Sequence, residues 1–322
     1  MPGSKIEFER IEKDKSIMKR MIFLALLLMF KTSAFSQQFP FMEGYNINPF
    51  SMSPAYAGLY NAGTVFVDYR SDWVGVQGGP VTYQLSYNDR IFKRVGIGGR
   101  FIYDKTDIFK QTIILGTYTY EIRIMEDHFL HLGLSAGLFR NSIDLVKYYN
   151  DPGFVADNVL LYGYQESKIK FATDFSALYR YKDFEAGFLF SNVMFGSAKY
   201  NSSDIEYKPT KNYLLNFSYN YRIDRDWDIK PFILLRGGQN YPVQLELASQ
   251  ISYEKKVWGT AVFRTGGIWG LGLGSEVITG VLLNYSYNFC SNVSLNSFGS
   301  HQVTLGLRVS DLVAGRQKTG KP

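Results

Sequence analysis

From about Thr64 to Val309 the chain repeats one unit, a short run of alternating apolar and polar residues closed by a turn. In one such run Tyr213, Leu215, Phe217, Tyr219, Tyr221 and Ile223 point one way. Asn212, Asn216, Ser218, Asn220 and Arg222 point the other. Successive strand side chains face opposite sides of a sheet, so each run has an oily face and a wet face. A soluble sandwich can use the same pattern. The number of repeats, the aromatic content and the leading segment separate the two. With 24 Tyr and 25 Phe, the chain carries the rings that membrane barrels place at both interfaces.

The leading segment reads as an export signal over residues 1–36. Lys19-Arg20 precede an apolar run, Met21 to Phe30, and small residues at Ala34 and Ser36 follow it. The charged stretch before Met18 points to Met18 as the start of translation. The apolar run is too short for a spanning helix, which needs about 20 residues. No Cys follows it, which excludes a lipoprotein anchor. Residues 1–36 hold seven Lys/Arg and four Asp/Glu, so the remainder carries +3 rather than +6. Its cations are spread among turns instead of forming a stripe, which gives nucleic-acid binding no support. A single cysteine, Cys290, excludes a disulfide framework and a cysteine-based metal cluster.

Four regions follow: the signal at 1–36, an N-terminal periplasmic or plug-like segment at 37–63, a barrel at 64–310, and a tail at 311–322. Segment 37–63 has no clean period. It mixes turn formers with Phe39, Phe41, Tyr45 and Phe50, too apolar a set for disorder. The barrel region predicts an all-β, transmembrane antiparallel β-barrel of about fourteen strands. The glycine-rich run 267–274 is weak as lipid-facing sheet and leaves twelve or sixteen open.

The faces are explicit in several runs. Val81, Tyr83, Leu85 and Tyr87 oppose Thr82, Gln84, Ser86 and Asn88, while Leu245, Leu247 and Ile251 oppose Gln244, Glu246 and Gln250. Lys168, Lys170, Asp174 and Arg180 share one wet face; such charges are costly in lipid but can be solvated or paired in a lumen. The polar face is therefore the inside. Tyr69, Tyr87, Tyr103, Tyr120, Tyr181 and Tyr221 supply interfacial girdles. Connections near 91–93, 125–127, 182–183, 224–227 and 255–256 are short; those near 142–167, 195–210 and 290–300 are long. That phase predicts short periplasmic turns and longer extracellular loops, with one exception near Thr265-Gly266.

Catalytic and ligand signatures are weak. His128 and His131 lie three apart on one predicted strand, so they emerge on opposite faces and cannot share a metal. Ser300 and His301 are sequence neighbours with no strained G-x-S-x-G elbow. Gly96-Ile97-Gly98-Gly99 lies inside a strand, with no helix to receive a phosphate. Glu246 and Glu254 read as solvated lumen lining. The expectation is a non-enzyme with no cofactor, no metal site and no nucleic-acid partner.

Three elements in fixed order carry a family resemblance: Ser53-Pro54-Ala55-Tyr56-Ala57-Gly58, then Arg70-Ser71-Asp72-Trp73-Val74-Gly75, then Gly79-Pro80-Val81-Thr82. Near the far end come a glycine-rich strand and Ser300-His301-Gln302-Val303. Together these resemble the PorP/SprF family, whose members usually show Asn at the position of Ser53 and an acidic residue at that of Gln302. The resemblance implies an outer-membrane component of the Bacteroidetes type IX secretion and gliding system. It implies as partners a secreted surface protein or adhesin with a C-terminal sorting domain and periplasmic secretion or peptidoglycan-anchoring proteins. Lipid and lipopolysaccharide of the outer membrane would surround the barrel. Pro54, Ala55, Tyr56, Ala57, Gly58, Arg70, Trp73, Gly75, Pro80, Thr82, Ser300 and His301 are the motif positions and candidate partner contacts. Pro54 and Gly58 would set a sharp approach to the first strand. Trp73 suits an interfacial anchor, and Arg70 a bond to loop carbonyls or a partner carboxylate. Two alternatives to a scaffolding barrel are a passive porin or hydrophobic-substrate channel, and a barrel hydrolase.

Overall fold

The computed structural model describes residues 42–60, 63–146, 164–194, 198–199, 206–207, 211–238, 241–290 and 298–309. The signal segment, Gln37 to Phe41, the tail 311–322 and most of the three long loops lie outside the described residues.

Fourteen strands form the barrel. They are β1 (Thr64–Ser71), β2 (Val81–Phe92), β3 (Val95–Thr106), β4 (Phe109–Met125), β5 (His128–Asp144), β6 (Lys170–Tyr181) and β7 (Phe184–Met194). Then come β8 (Asn212–Tyr219, continued by Tyr221–Arg222), β9 (Trp227–Gly238), β10 (Tyr241–Tyr253), β11 (Val257–Arg264), β12 (Ile268–Ile278), β13 (Val281–Cys290) and β14 (Ser300–Arg308). Each pairs antiparallel with its sequence neighbours. β1 also pairs with β14, Thr64 opposite Arg308 and Ser71 opposite His301, and this seam closes the sheet. Closure gives every strand two partners, the condition for crossing a bilayer in β structure. Among the described residues no helix is long and apolar enough to cross.

Alternation explains which face looks out. Val67 and Tyr69 of β1, Tyr83, Leu85 and Tyr87 of β2, and Phe217, Tyr219 and Leu247 further round are exposed on the outer surface. Thr82, Gln84, Ser86 and Asn88 are buried on the inner one. The girdle tyrosines sit outward as expected, and Trp227 packs on Tyr253 at 4.9 Å in the same belt. The glycine-rich run is a complete strand. Gly270, Gly272 and Gly274 of β12 face inward, where Asn288, Ser286 and the Trp258 ring fill the space they leave. Leu271 and Leu273 stand outward between them, 61% and 71% exposed.

One barrel end carries tight turns throughout. Glu254 and Lys255 both take positive φ, at 48° and 57°, and the Lys256 N–H donates to the Tyr253 carbonyl, a type I′ turn within the three-residue link 254–256. The opposite end carries the long connections, and the phase is less strict there than the sequence predicts. Besides 265–267, the links 107–108 and 239–240 are also short.

The lumen departs from expectation more sharply. Leu178, Leu189, Leu214, Phe232, Leu234, Ala248 and Val262 on β6–β11 all face inward and are buried. This apolar arc is covered by the N-terminal segment, so this part of the inner wall is a packing surface.

Candidate functional site

Residues 42–60 fold inside the barrel as three single turns: Glu43–Asn46, Pro49–Met52 and Pro54–Tyr56. Pro49 and Pro54 open the second and third turns, where a missing N–H is harmless and φ is already helical. The segment starts beside the loop-end halves of β1, β11 and β13. It descends to Gly58, at φ +71°, beside the turn-end parts of β2 and β3. Tyr45, Phe50, Met52, Ala55, Tyr56 and Ala57 pack on the apolar arc.

On the opposite wall, glycines make the room. A Cβ on Gly133 would strike the backbone of Pro54 and Ala55, one on Gly96 the carbonyl of Ala57, and one on Gly98 the Phe50 ring. The glycine run of β3, unsuited to a phosphate site, therefore lets another backbone approach closely.

Charges lock the upper part of the segment. The Glu43 carboxylate lies 2.8 Å from Arg70 and 2.9 Å from Arg264, and it accepts from the Asn288 amide. Arg264 also donates to Glu246, whose other oxygen accepts from the Tyr45 hydroxyl at 2.5 Å. Arg70 grips Asp72 as well, at 2.7 Å. The Glu43 backbone N–H donates to Gln302 at 2.8 Å. Apart from Asp72, this alternating chain of charges is almost wholly buried. Removing one member therefore strands a neighbour in low dielectric. Burial works against ionisation of Glu43, but Arg70 and Arg264 prevail and hold its carboxyl well below the usual range. Burial, and then Glu246, push the Tyr45 phenol well up, so it remains a donor.

Lower down the fastening is lighter. Arg100 pairs with Asp174 at 2.7 Å, lies 5.5 Å from the Phe50 ring centre and donates to the Ser51 carbonyl at 3.3 Å. Thr119 donates to the Pro54 carbonyl, and Asn216 to the Tyr56 hydroxyl, both at 2.8 Å. The Gly58 N–H donates to Asn88, and Arg90 donates to the Gly58 carbonyl, both at 2.9 Å. Tyr60 donates to Glu185.

The motif residues fall into separate places. Pro54, Ala55, Tyr56, Ala57 and Gly58 lie within the lumen. Arg70 joins them from β1, facing inward to Glu43 and Asp72 instead of loop carbonyls. Trp73, at φ +54° and 40% exposed, sits in the β1–β2 loop at the loop end. Its N–H reaches Ser300 at 3.4 Å, and Val74 exchanges backbone bonds with Phe298 and Gly299, joining the two loops across the seam. Gly75 follows at φ +92°, and the Pro80 carbonyl accepts from Asp72 at 2.8 Å. Thr82 donates to Asp104 at 2.5 Å. Ser300 faces inward, whereas His301 faces outward and shares a hydrogen bond with Tyr285 at 2.7 Å, so the two form no catalytic pair. His128 contacts Tyr179 at 2.6 Å, while His131 is buried near Glu121, which keeps the two apart. Glu246 is no solvated lining; it is fully buried in the lock. Glu254 sits in an exposed turn.

Glu43, Arg264, Arg100 and Glu185 escape a sequence reading, and of Asp174 only its place on the wet face is legible. For the strand residues the signal is that charges of both signs occupy wet-face positions; Glu43, in the lumen segment, has none.

The family model described as "Type IX secretion system membrane protein PorP/SprF" matches residues 34–307, spanning the lumen segment and nearly the whole barrel. The chain belongs to the PorP/SprF family. It is thus an outer-membrane β-barrel of the type IX secretion system. Among curated proteins none matches. Solved structures similar to this PorP/SprF barrel include a Pseudomonas aeruginosa FadL homologue, 11% identical, TM-score 0.48, covering 84% of this chain and 94% of that one. Another is the CymD monoaromatic hydrocarbon channel, 12% identical, TM-score 0.47, covering 82% and 91% respectively.

Proposed function

We infer that this PorP/SprF barrel works by holding proteins, supporting export and surface attachment of a secreted protein with a C-terminal sorting domain. In this reading the loop end faces outward and receives the secreted protein, while the turn end faces the periplasm and meets the secretion machinery. The observation that carries it is the seated segment 42–60, wedged between an apolar arc and a row of glycines and fastened by buried charges. A wall built to hold a segment of its own chain serves a scaffold better than a passive porin, which needs a wet bore.

The test compares a deletion strain with its parent. Loss of one sorting-domain protein from the surface, with unchanged uptake of small solutes, is the expected result. Normal display of every such protein in the deletion strain, or a large conductance from the purified wild-type barrel, would overturn the reading.

A further inference from the structure

Beneath the seated segment the described residues leave the turn end of the lumen open. A cavity of about 460 Å³ lies there, against Asn46, Ile47 and Tyr60 of the segment, within the ~300–1,000 Å³ range of binding sites. A second space of about 530 Å³ adjoins it, and Tyr60 and Arg180 line both.

The first cavity is lined by six cations: Arg180, Lys182, Arg222, Lys230, Lys255 and Arg308. Three carboxylates of the lining answer them, Asp183, Glu185 and Asp228, and Glu276 outside it lies 3.5 Å from Arg308. Two of the three are already engaged. Glu185 binds Tyr60 and Ser218 and lies 3.5 Å from Lys230 and 3.8 Å from Arg180. Asp228 lies 3.6 Å from Arg222, whose side chain keeps 67% of its exposure. Positive charge is thus in excess, and a concave wall of low dielectric focuses its field into the opening.

The arrangement of these cations narrows the ligand. They come from β6, β8, β9 and β14 and from the β6–β7 and β10–β11 turns, so they ring the mouth instead of converging on one point. A single phosphate would meet few of them. An extended chain bearing several carboxylates would meet most, with Tyr60 as an aromatic floor. We propose that this vestibule docks an acidic peptide segment of a protein on the turn-end side of the membrane. The inference rests on the reading that the turn end faces the secretion machinery.

The experiment titrates full-length protein in detergent micelles with a labelled, Asp/Glu-rich peptide and with its Asn/Gln counterpart. Saturable binding of the acidic peptide alone is expected, weakened about tenfold by several hundred millimolar salt. The double variant Arg222→Glu, Lys255→Glu should lose at least as much while keeping the heat-dependent gel mobility of a folded barrel. If that variant does not fold, Arg222→Gln, Lys255→Gln serves the same comparison. Equal binding of the Asn/Gln peptide, an affinity indifferent to both variants, or displacement by millimolar inorganic phosphate would overturn the proposal. Orientation is read separately, from Asp226→Cys in a Cys290→Ser background. Labelling by an impermeant maleimide only after the outer membrane is permeabilised places the turn end inside. Labelling of intact cells would overturn that reading of the barrel and leave the binding result standing.

Discussion

The loop-side half of the lumen and its turn-end vestibule are both rich in charge, yet they use it in opposite ways. In the first, Glu43, Arg70, Arg264 and Glu246 are buried and matched, each carboxylate against a guanidinium. In the second, cations outnumber carboxylates and several side chains remain in water. Buried matched charges are costly to separate, so they hold one arrangement. Exposed charges in excess of their partners stabilise the fold little and remain available to something else. The lumen therefore carries a clamp on β1, β10, β11 and β13 towards its loop end, and at its turn end a landing site whose cations come mostly from β6, β8, β9 and β14.

The sharpest way to break the contrast is Arg264→Leu. It leaves Glu43 and Glu246 facing each other without their shared cation, and a loss of about 3–5 kcal/mol is expected. Urea unfolding of the barrel in micelles, followed by intrinsic tryptophan fluorescence, measures it. Gly133→Val comes next, since its added carbon meets the Pro54–Ala55 backbone. Overpacking of this kind costs about 1–3 kcal/mol. Protease cleavage within 42–60 and a rise in single-channel conductance would report the unseated segment. Tyr45→Phe removes one hydrogen bond to a buried carboxylate, for about 1–3 kcal/mol. Its check is the same urea titration, where its midpoint should fall between those of Arg264→Leu and wild type. Arg222→Glu in the vestibule should shift the unfolding midpoint by no more than about 0.5 kcal/mol. A shift as large as that of Arg264→Leu would erase the distinction between the two regions.

Acidity tests the clamp from another side. The Glu43 carboxyl is held low in the folded protein, so its contribution is complete above the ordinary carboxylate range and is lost as pH falls through its depressed value. Protease resistance of segment 42–60 should therefore be the same at pH 8 and at pH 5. Release of the segment between those values would show that the clamp depends on some other group.

Much of the barrel is legible in the chain because the bilayer imposes a period of two on its outer face. Leu245, Leu247 and Ile251 announce themselves, and even β12, with its inward glycines, keeps Leu271 and Leu273 in phase. The inner wall obeys no such rule. Leu178, Leu214 and Phe232 occupy wet-face positions, and an apolar residue there is one mark in the sequence of something packed against it. The glycines of β3 give a second hint, a strand interior that denies itself side chains. The clamp itself is hidden, since Glu43 and Arg264 stand 221 positions apart and nothing local couples them. The seam explains why Trp73 and Ser300 meet: only the pairing of first strand with last brings their loops together.

Gly63 is already tied to the barrel, donating to the Asn88 carbonyl and accepting from Val309, so only two residues separate Tyr60 from the turn-end edge of β1. The whole lumen segment is therefore moored at the turn-end mouth. A tug from the vestibule side would draw it along its path of exit. A push from the same side would only press it against the clamp at the loop end.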